Sequence, residues 1–238
     1  MFGNSIAVAT FKDPSTELRI ESNLLLETYS VQSPTFQIAP GAKNFPFKYS
    51  TDDRIDLGGM TNRQYADSND RLGMWARGFV RGTKTDTAAL LSDLNMGVGS
   101  WISYQSREAE GTQSPMETLD LGRGSCRDLA VLLIEAARTL GFGARVVTGY
   151  LYNSASDDRH AARIGVGTTH AWADIYIPGS GWVAYDPTNG TIGGNDLIRV
   201  AVTRDIGQAV PIAGTFVGKS DCYLGMLVDV TVVRTGSQ

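Results

Sequence analysis

Histidine is nearly absent from this chain. Only His160 and His170 occur in 238 residues, so any mechanism that needs an imidazole has two candidates. Cysteine is equally scarce, with Cys126 and Cys222 alone. Two cysteines suffice for one disulfide, but a chain of this length does not need a staple to fold. Zinc sites want Cys or His paired a few residues apart, and no such pairing occurs. No segment approaches the roughly 18 uninterrupted apolar residues of a membrane span. There is no run of five basic residues, and the formal net charge is -4. A mildly acidic chain has no electrostatic reason to bind nucleic acid or anionic lipid. The N-terminus, MFGNSIAVATFKDPSTELR, lacks a basic region ahead of its short apolar stretch and meets Asp13 soon after. It reads poorly as a signal peptide, and cytoplasm is the default location.

What is present is ordinary globular material. Hydrophobic residues make up 42% and charged residues 19%, which predicts a packed core and excludes wholesale disorder. The patterns divide the chain into a partial N-terminal β region, 1–50, and a core, 51–238. Ser5 to Phe11 and Leu18 to Val31 read as strands around the turn Asp13-Pro14-Ser15. Residues 33–66 read as an irregular connection with one short helix. Helices are expected over Asp70 to Val80 and Asp86 to Tyr104, the second capped by Asp86 and weakened by Gly97 and Gly99. Ser114-Pro115-Met116-Glu117 is a capping box that starts a short helix ending near Leu121.

Ser125 to Leu140 is the strongest helix signal. Ser125 can cap it, Asp128 stands three residues on, and Gly141 supplies the left-handed stop. The run LAVLLIEAARTL is apolar on nearly every side, which predicts a central, buried helix. Strands follow at Ala144 to Tyr152, Thr169 to Ile177, Trp182 to Asp186, Leu197 to Thr203 and Tyr223 to Val233, with a polar loop from Asn153 to Thr168 that contains His160. A buried helix followed by successive antiparallel strands is an α+β arrangement.

Cys126 falls at the start of the buried helix, where unpaired N–H groups and the helix dipole favour a thiolate. Its other reading is a small buried apolar residue. A cysteine nucleophile wants a base, and the base wants an orienting group. His170, in Thr169-His170-Ala171-Trp172, and Asp186, in Tyr185-Asp186-Pro187-Thr188, are placed to be these. Alternatively, His170 is a satisfied core histidine and Asp186 a turn residue before Pro187.

Strand parity separates the readings. A four-residue turn, Pro178 to Gly181, sets Asp186 opposite Ala173 and on the face away from His170. A three-residue turn, Pro178 to Ser180, pairs Ile177 with Gly181. It sets Asp186 opposite Trp172, on the face of His170 and at diagonal reach. A Cys126–His170–Asp186 triad therefore requires the three-residue turn or an equivalent bulge.

Gly124-Ser125-Cys126-Arg127-Asp128-Leu129-Ala130 resembles the cysteine motif of bacterial transglutaminase-like proteins, often described as cysteine proteases. Leu140 to Leu151 looks like their helix exit and next strand. Thr169-His170-Ala171-Trp172 resembles the histidine motif, and Gly181-Trp182-Val183-Ala184-Tyr185-Asp186-Pro187-Thr188-Asn189 the aspartate motif. The motifs keep the family's order and spacing, and the resemblance covers residues 60–234. It implies a papain-like transglutaminase core, with the cysteine helix packed on an antiparallel sheet. It also implies a Cys126, His170, Asp186 triad acting on a peptide, protein or amide through a thioester, without metal or cofactor. Trp101 and Gln113 are the upstream candidates for a second oxyanion donor, and Trp172 is a candidate to line the cleft. Members of the family usually carry a further β-rich stretch before the point where this chain starts. Met1-Phe2-Gly3-Asn4 resembles an interior position of that region.

Three functions compete on this basis. The first is hydrolysis of a peptide or amide bond by a cysteine protease or amidase. The second is transfer of a glutamine acyl group to an amine, which needs a channel that excludes water. The third is a non-catalytic peptide-binding module, which has no need to keep all three triad residues. His160 reads as a loop residue and Cys222 as a buried strand residue.

Overall fold

The computed structural model describes residues 2–27, 37–107, 111–152, 168–194, 196–219 and 221–233. The expected polar loop with His160 lies outside these residues, apart from Thr168. Five α-helices are described: α1 (Thr51–Leu57), α2 (Arg71–Arg77), α3 (Thr87–Trp101), α4 (Pro115–Leu121) and α5 (Cys126–Thr139). Three parts of the local reading recur: the Asp86 side chain caps α3, Ser114 and Glu117 form a capping box on α4, and Ser125 with Asp128 caps α5.

α5 is the axis of the molecule. Its C-terminal end is closed by Gly141 at φ 92°, and the Phe142 N–H returns to the Ala137 carbonyl at 3.0 Å. One side of α5 packs on the sheet and the other on α2, α3 and α4. Leu129, Leu132 and Leu133 meet Leu90, Leu94 and Val98 of α3 as well as Ile175 and Ile177 of the sheet in one cluster. Burying each leucine contributes about 1.5–3 kcal/mol.

Two-residue ladders brace the helices: β1 (Asn44–Phe45) with β2 (Thr85–Asp86), antiparallel, and β3 (Ser103–Tyr104) with β4 (Arg123–Gly124), parallel. The main sheet comprises β5 (Ala144–Leu151), β6 (His170–Ile177), β7 (Gly181–Asp186), β8 (Thr191–Ile192) and β9 (Leu197–Thr203). Its order is β8-β7-β6-β5-β9 and all neighbours are antiparallel. The turn between β6 and β7 has three residues, and Ile177 pairs with Gly181. This is the register that sets His170 and Asp186 on one face. On the face away from α5, the buried Asp174 carboxylate is held by Arg145 and Arg199, and the Arg145 guanidinium lies 4.0 Å from the centre of the Trp182 ring.

Strands do not form at Ser5 to Phe11, over the described part of Leu18 to Val31, or at Tyr223 to Val233. The alternating pattern is there, but among the described residues no strand pairs with these segments. A lone strand leaves its backbone groups to water. Ile6 and Val8 are accordingly 86% and 90% exposed. Cys222, just before the last of these segments, is exposed and unbridged rather than a buried strand residue. The first residues of the chain are held against the sheet. The Asn4 side chain donates to the Val202 carbonyl (2.7 Å) and accepts from the Val202 N–H (2.9 Å), acting as a one-residue strand against β9. Phe2 packs on the cluster of Val147, Trp172 and Val202.

The glycines that weakened the prediction for α3 have a packing reason. A Cβ on Gly97 would stand 2.3 Å from the Phe79 ring, and one on Gly99 would stand 2.8 Å from the Pro187 carbonyl oxygen. Gly99 lets α3 approach the backbone immediately after Asp186. Because a carbonyl cannot rotate aside as a side chain does, Gly99→Ala is expected to cost about 1–3 kcal/mol in urea unfolding. A midpoint equal to the parent's would mean that the turn yields freely.

Candidate active site

Cys126 is the first residue of α5 and is 9% exposed. It packs with Ala130 from the next helical turn and Ala171 of β6, with Tyr104 against the same cluster. At this position its backbone N–H has no intrahelical acceptor. The helix start is held by Asp128, whose buried carboxylate accepts from both the N–H and the hydroxyl of Ser125 at 2.8 Å. The other Asp128 oxygen accepts from the Gln113 N–H (2.7 Å) and the Arg107 guanidinium (2.8 Å). One carboxylate thus fixes both the helix that carries Cys126 and the segments on either side of 108–110.

His170 is the first residue of β6 and is fully buried. Its Nε2–H donates to Asp186 Oδ2 at 2.9 Å. Nδ1 has no hydrogen-bond partner among the described residues, and the Cys126 thiol is the other side-chain group that acts on the ring. Burial opposes charge on the imidazole. The bond to Asp186 and the interaction with Cys126 outweigh it, raising the pKa to about 9.

Asp186 closes β7. Its Oδ1 accepts from the N–H groups of Thr188 (3.0 Å) and Asn189 (3.3 Å), and its Oδ2 also accepts from the Asn189 side-chain amide (2.8 Å). Burial works against the carboxylate, but the His170 bond and these donors hold its pKa below the usual aspartate value. The turn after Asp186 therefore fixes the carboxylate, and the carboxylate fixes the ring. Trp172 is 1% exposed, and its indole stacks against His170 at 6.1 Å between ring centres.

The fold brings Cys126, His170 and Asp186 together. The two upstream candidate oxyanion donors lie in different surroundings. Trp101 is 65% exposed and meets Trp75 edge to face. Gln113 gives its N–H to Asp128, and its side-chain carbonyl accepts from the Thr118 hydroxyl at 3.2 Å. Tyr104, Arg107 and Asn189 were not singled out from the sequence. Asn189 alone had a local signal, the Asp-Pro-Thr-Asn turn. Among the described residues no group of His, Cys, Asp and Glu is placed to hold a metal ion, and no helix is long and apolar enough to cross a membrane.

Residues 73–187 match the model of the transglutaminase-like superfamily. An uncharacterized protein of Mycobacterium leprae (strain TN) is 25% identical over 97% of this chain and 79% of its own length. An uncharacterized protein of Mycobacterium tuberculosis (strain H37Rv) is 29% identical over 63% of this chain and 48% of its own length. Among solved structures, a candidate cysteine protease from Cytophaga hutchinsonii is 24% identical and superposes with a TM-score of 0.53. That match covers 65% of this chain and 49% of that one, and it speaks to the fold. The chain thus spans about half the length of two of these three proteins. The matched residues 73–187 contain the cysteine helix, the histidine strand and the aspartate turn, and through them the chain is similar to the transglutaminase-like superfamily.

Proposed function

We propose that this chain is a cysteine-nucleophile acyl-transfer enzyme that hydrolyses a peptide or amide bond through a thioester. The observation that carries the reading is the 2.9 Å bond from His170 Nε2 to Asp186. It leaves Nδ1 without a hydrogen-bond partner among the described residues, on a ring that Cys126 acts on from the start of α5. Cys126 Sγ attacks the acyl carbon after its proton has passed to His170. The imidazolium then protonates the departing amine, and the acyl group stays on sulfur. Water, deprotonated by the neutral ring, attacks the thioester and restores the thiol. Asp186 keeps the ring in place and favours its charged form. Trp172 enters as a support for the imidazole plane, because its indole is buried against the ring and not open to a substrate.

Cys222 provides an internal control, since it is exposed and lies outside the site. Iodoacetamide at pH 6, read by peptide mapping, is expected to modify Cys126 ahead of the more accessible Cys222, and His170→Ala is expected to reverse the order. If Cys222 reacts first in the parent protein, the pairing of thiol and imidazole is not operating and the reading fails.

A further inference from the structure

Tyr104 is a polar side chain that the fold delivers to Cys126 and that the triad does not use. β3 runs parallel to β4 and sets Tyr104 beside Gly124, two residues ahead of the nucleophile. The Gln105 N–H donates to the Gly124 carbonyl at 2.8 Å and holds that register. The half-buried ring packs against Cys126, Ala130 and Ala171. Burial, and then the charge that Cys126 can carry, raise the phenol's pKa, while a hydrogen bond with the Ser106 hydroxyl lowers it. The phenol therefore keeps a proton to donate at neutral pH.

We propose that Tyr104 is a catalytic residue whose hydroxyl, together with the Cys126 backbone N–H, donates to the oxyanion formed when Cys126 adds to an acyl carbonyl. This assignment rests on the thioester reading above. As the Sγ–C bond forms, the C=O π pair moves onto oxygen, where the phenol O–H and the Cys126 N–H meet it. When the pair returns, the bond from carbon to the leaving group breaks, and that group takes the His170 proton if it is an amine. The phenol keeps its proton throughout and is regenerated without a further reactant. A hydroxyl aimed at the developing charge is favoured in the transition state over the ground-state carbonyl, which is what lowers the barrier.

Two probes of the same sulfur test this. p-Nitrophenyl acetate acylates through an oxyanion, whereas iodoacetamide alkylates by direct displacement and forms none. Tyr104→Phe keeps the ring and its packing and removes only the hydroxyl. Acylation at Cys126 is expected to fall about 10²-fold in this variant, while its alkylation keeps the parent's rate. Equal falls with both probes would mean that Tyr104 acts on the thiol or the packing, which overturns the assignment. Undiminished acylation would overturn it as well. If parent Cys126 is alkylated but never acylated, the thioester reading itself fails, and that is visible before any variant is made.

Discussion

Asp186→Asn is expected to lower turnover about 10³-fold and to move the alkaline limit of activity toward neutral pH. The active form in the proposed mechanism carries an imidazolium, so parent activity should fall as pH rises through about 9, the pKa to which His170 is raised. That value is held up, against burial, by the Asp186 carboxylate and the Cys126 sulfur. An amide in place of the carboxylate removes the larger support and can also invite the wrong tautomer. The limb should then drop toward the ordinary histidine value of about 6.5. The pH dependence of single-turnover acylation separates the two effects. A variant that is slow but keeps its limit near the parent's would show that Asp186 orients the ring without setting its charge.

The same pair gives stability a predictable shape. His170 binds its proton more tightly folded than unfolded, so its contribution is complete below about 6.5 and is lost as pH rises through about 9. A rise of this size corresponds to about 3 kcal/mol. Asp186 is shifted down, so its contribution is present above the unfolded aspartate value and is lost as pH falls. The pair is therefore worth most between about pH 4 and 6.5. The loss between pH 6 and 10 should be smaller in His170→Gln than in the parent, a difference that cancels the other groups titrating in that range.

The sequence was most legible where its signals were local. Ser125, Asp128 and Gly141 mark the ends of α5 because caps and left-handed stops are decided by neighbours within a few residues. The β6–β7 register was legible only through the triad: the turn sequence permits either length, and alternation allows one parity in which His170 and Asp186 share a face. Tyr104 was not accessible. It reaches Cys126 through a two-residue parallel ladder closed across α4, and neither strand has enough length or pattern to announce itself. The N-terminal segment failed differently. Ile6 and Val8 alternate as a strand should, but a strand needs a partner as well as a propensity. The clip of Asn4 on Val202 comes from a side chain that no strand pattern would select.

Asp128→Ala is expected to be the most destabilising single change near the site, at about 3–5 kcal/mol. Asp128 is fully buried and accepts four hydrogen bonds, from Ser125 N–H, Ser125 hydroxyl, Gln113 N–H and Arg107. Removing the carboxylate strands all four donors, and Arg107 is left a largely buried cation without its counter-charge. The helix that carries Cys126 also loses the Asp128 arm of its capping box and an acidic residue in its first turn. Asp128→Asn retains the shape and one acceptor oxygen, so it should recover part of the loss. Urea midpoints rank the two variants, and the ranking distinguishes a carboxylate that holds the structure from one that only fills space. If alanine and asparagine are equally mild, the four bonds contribute little and the position of Cys126 must be fixed by the packing of α5 alone.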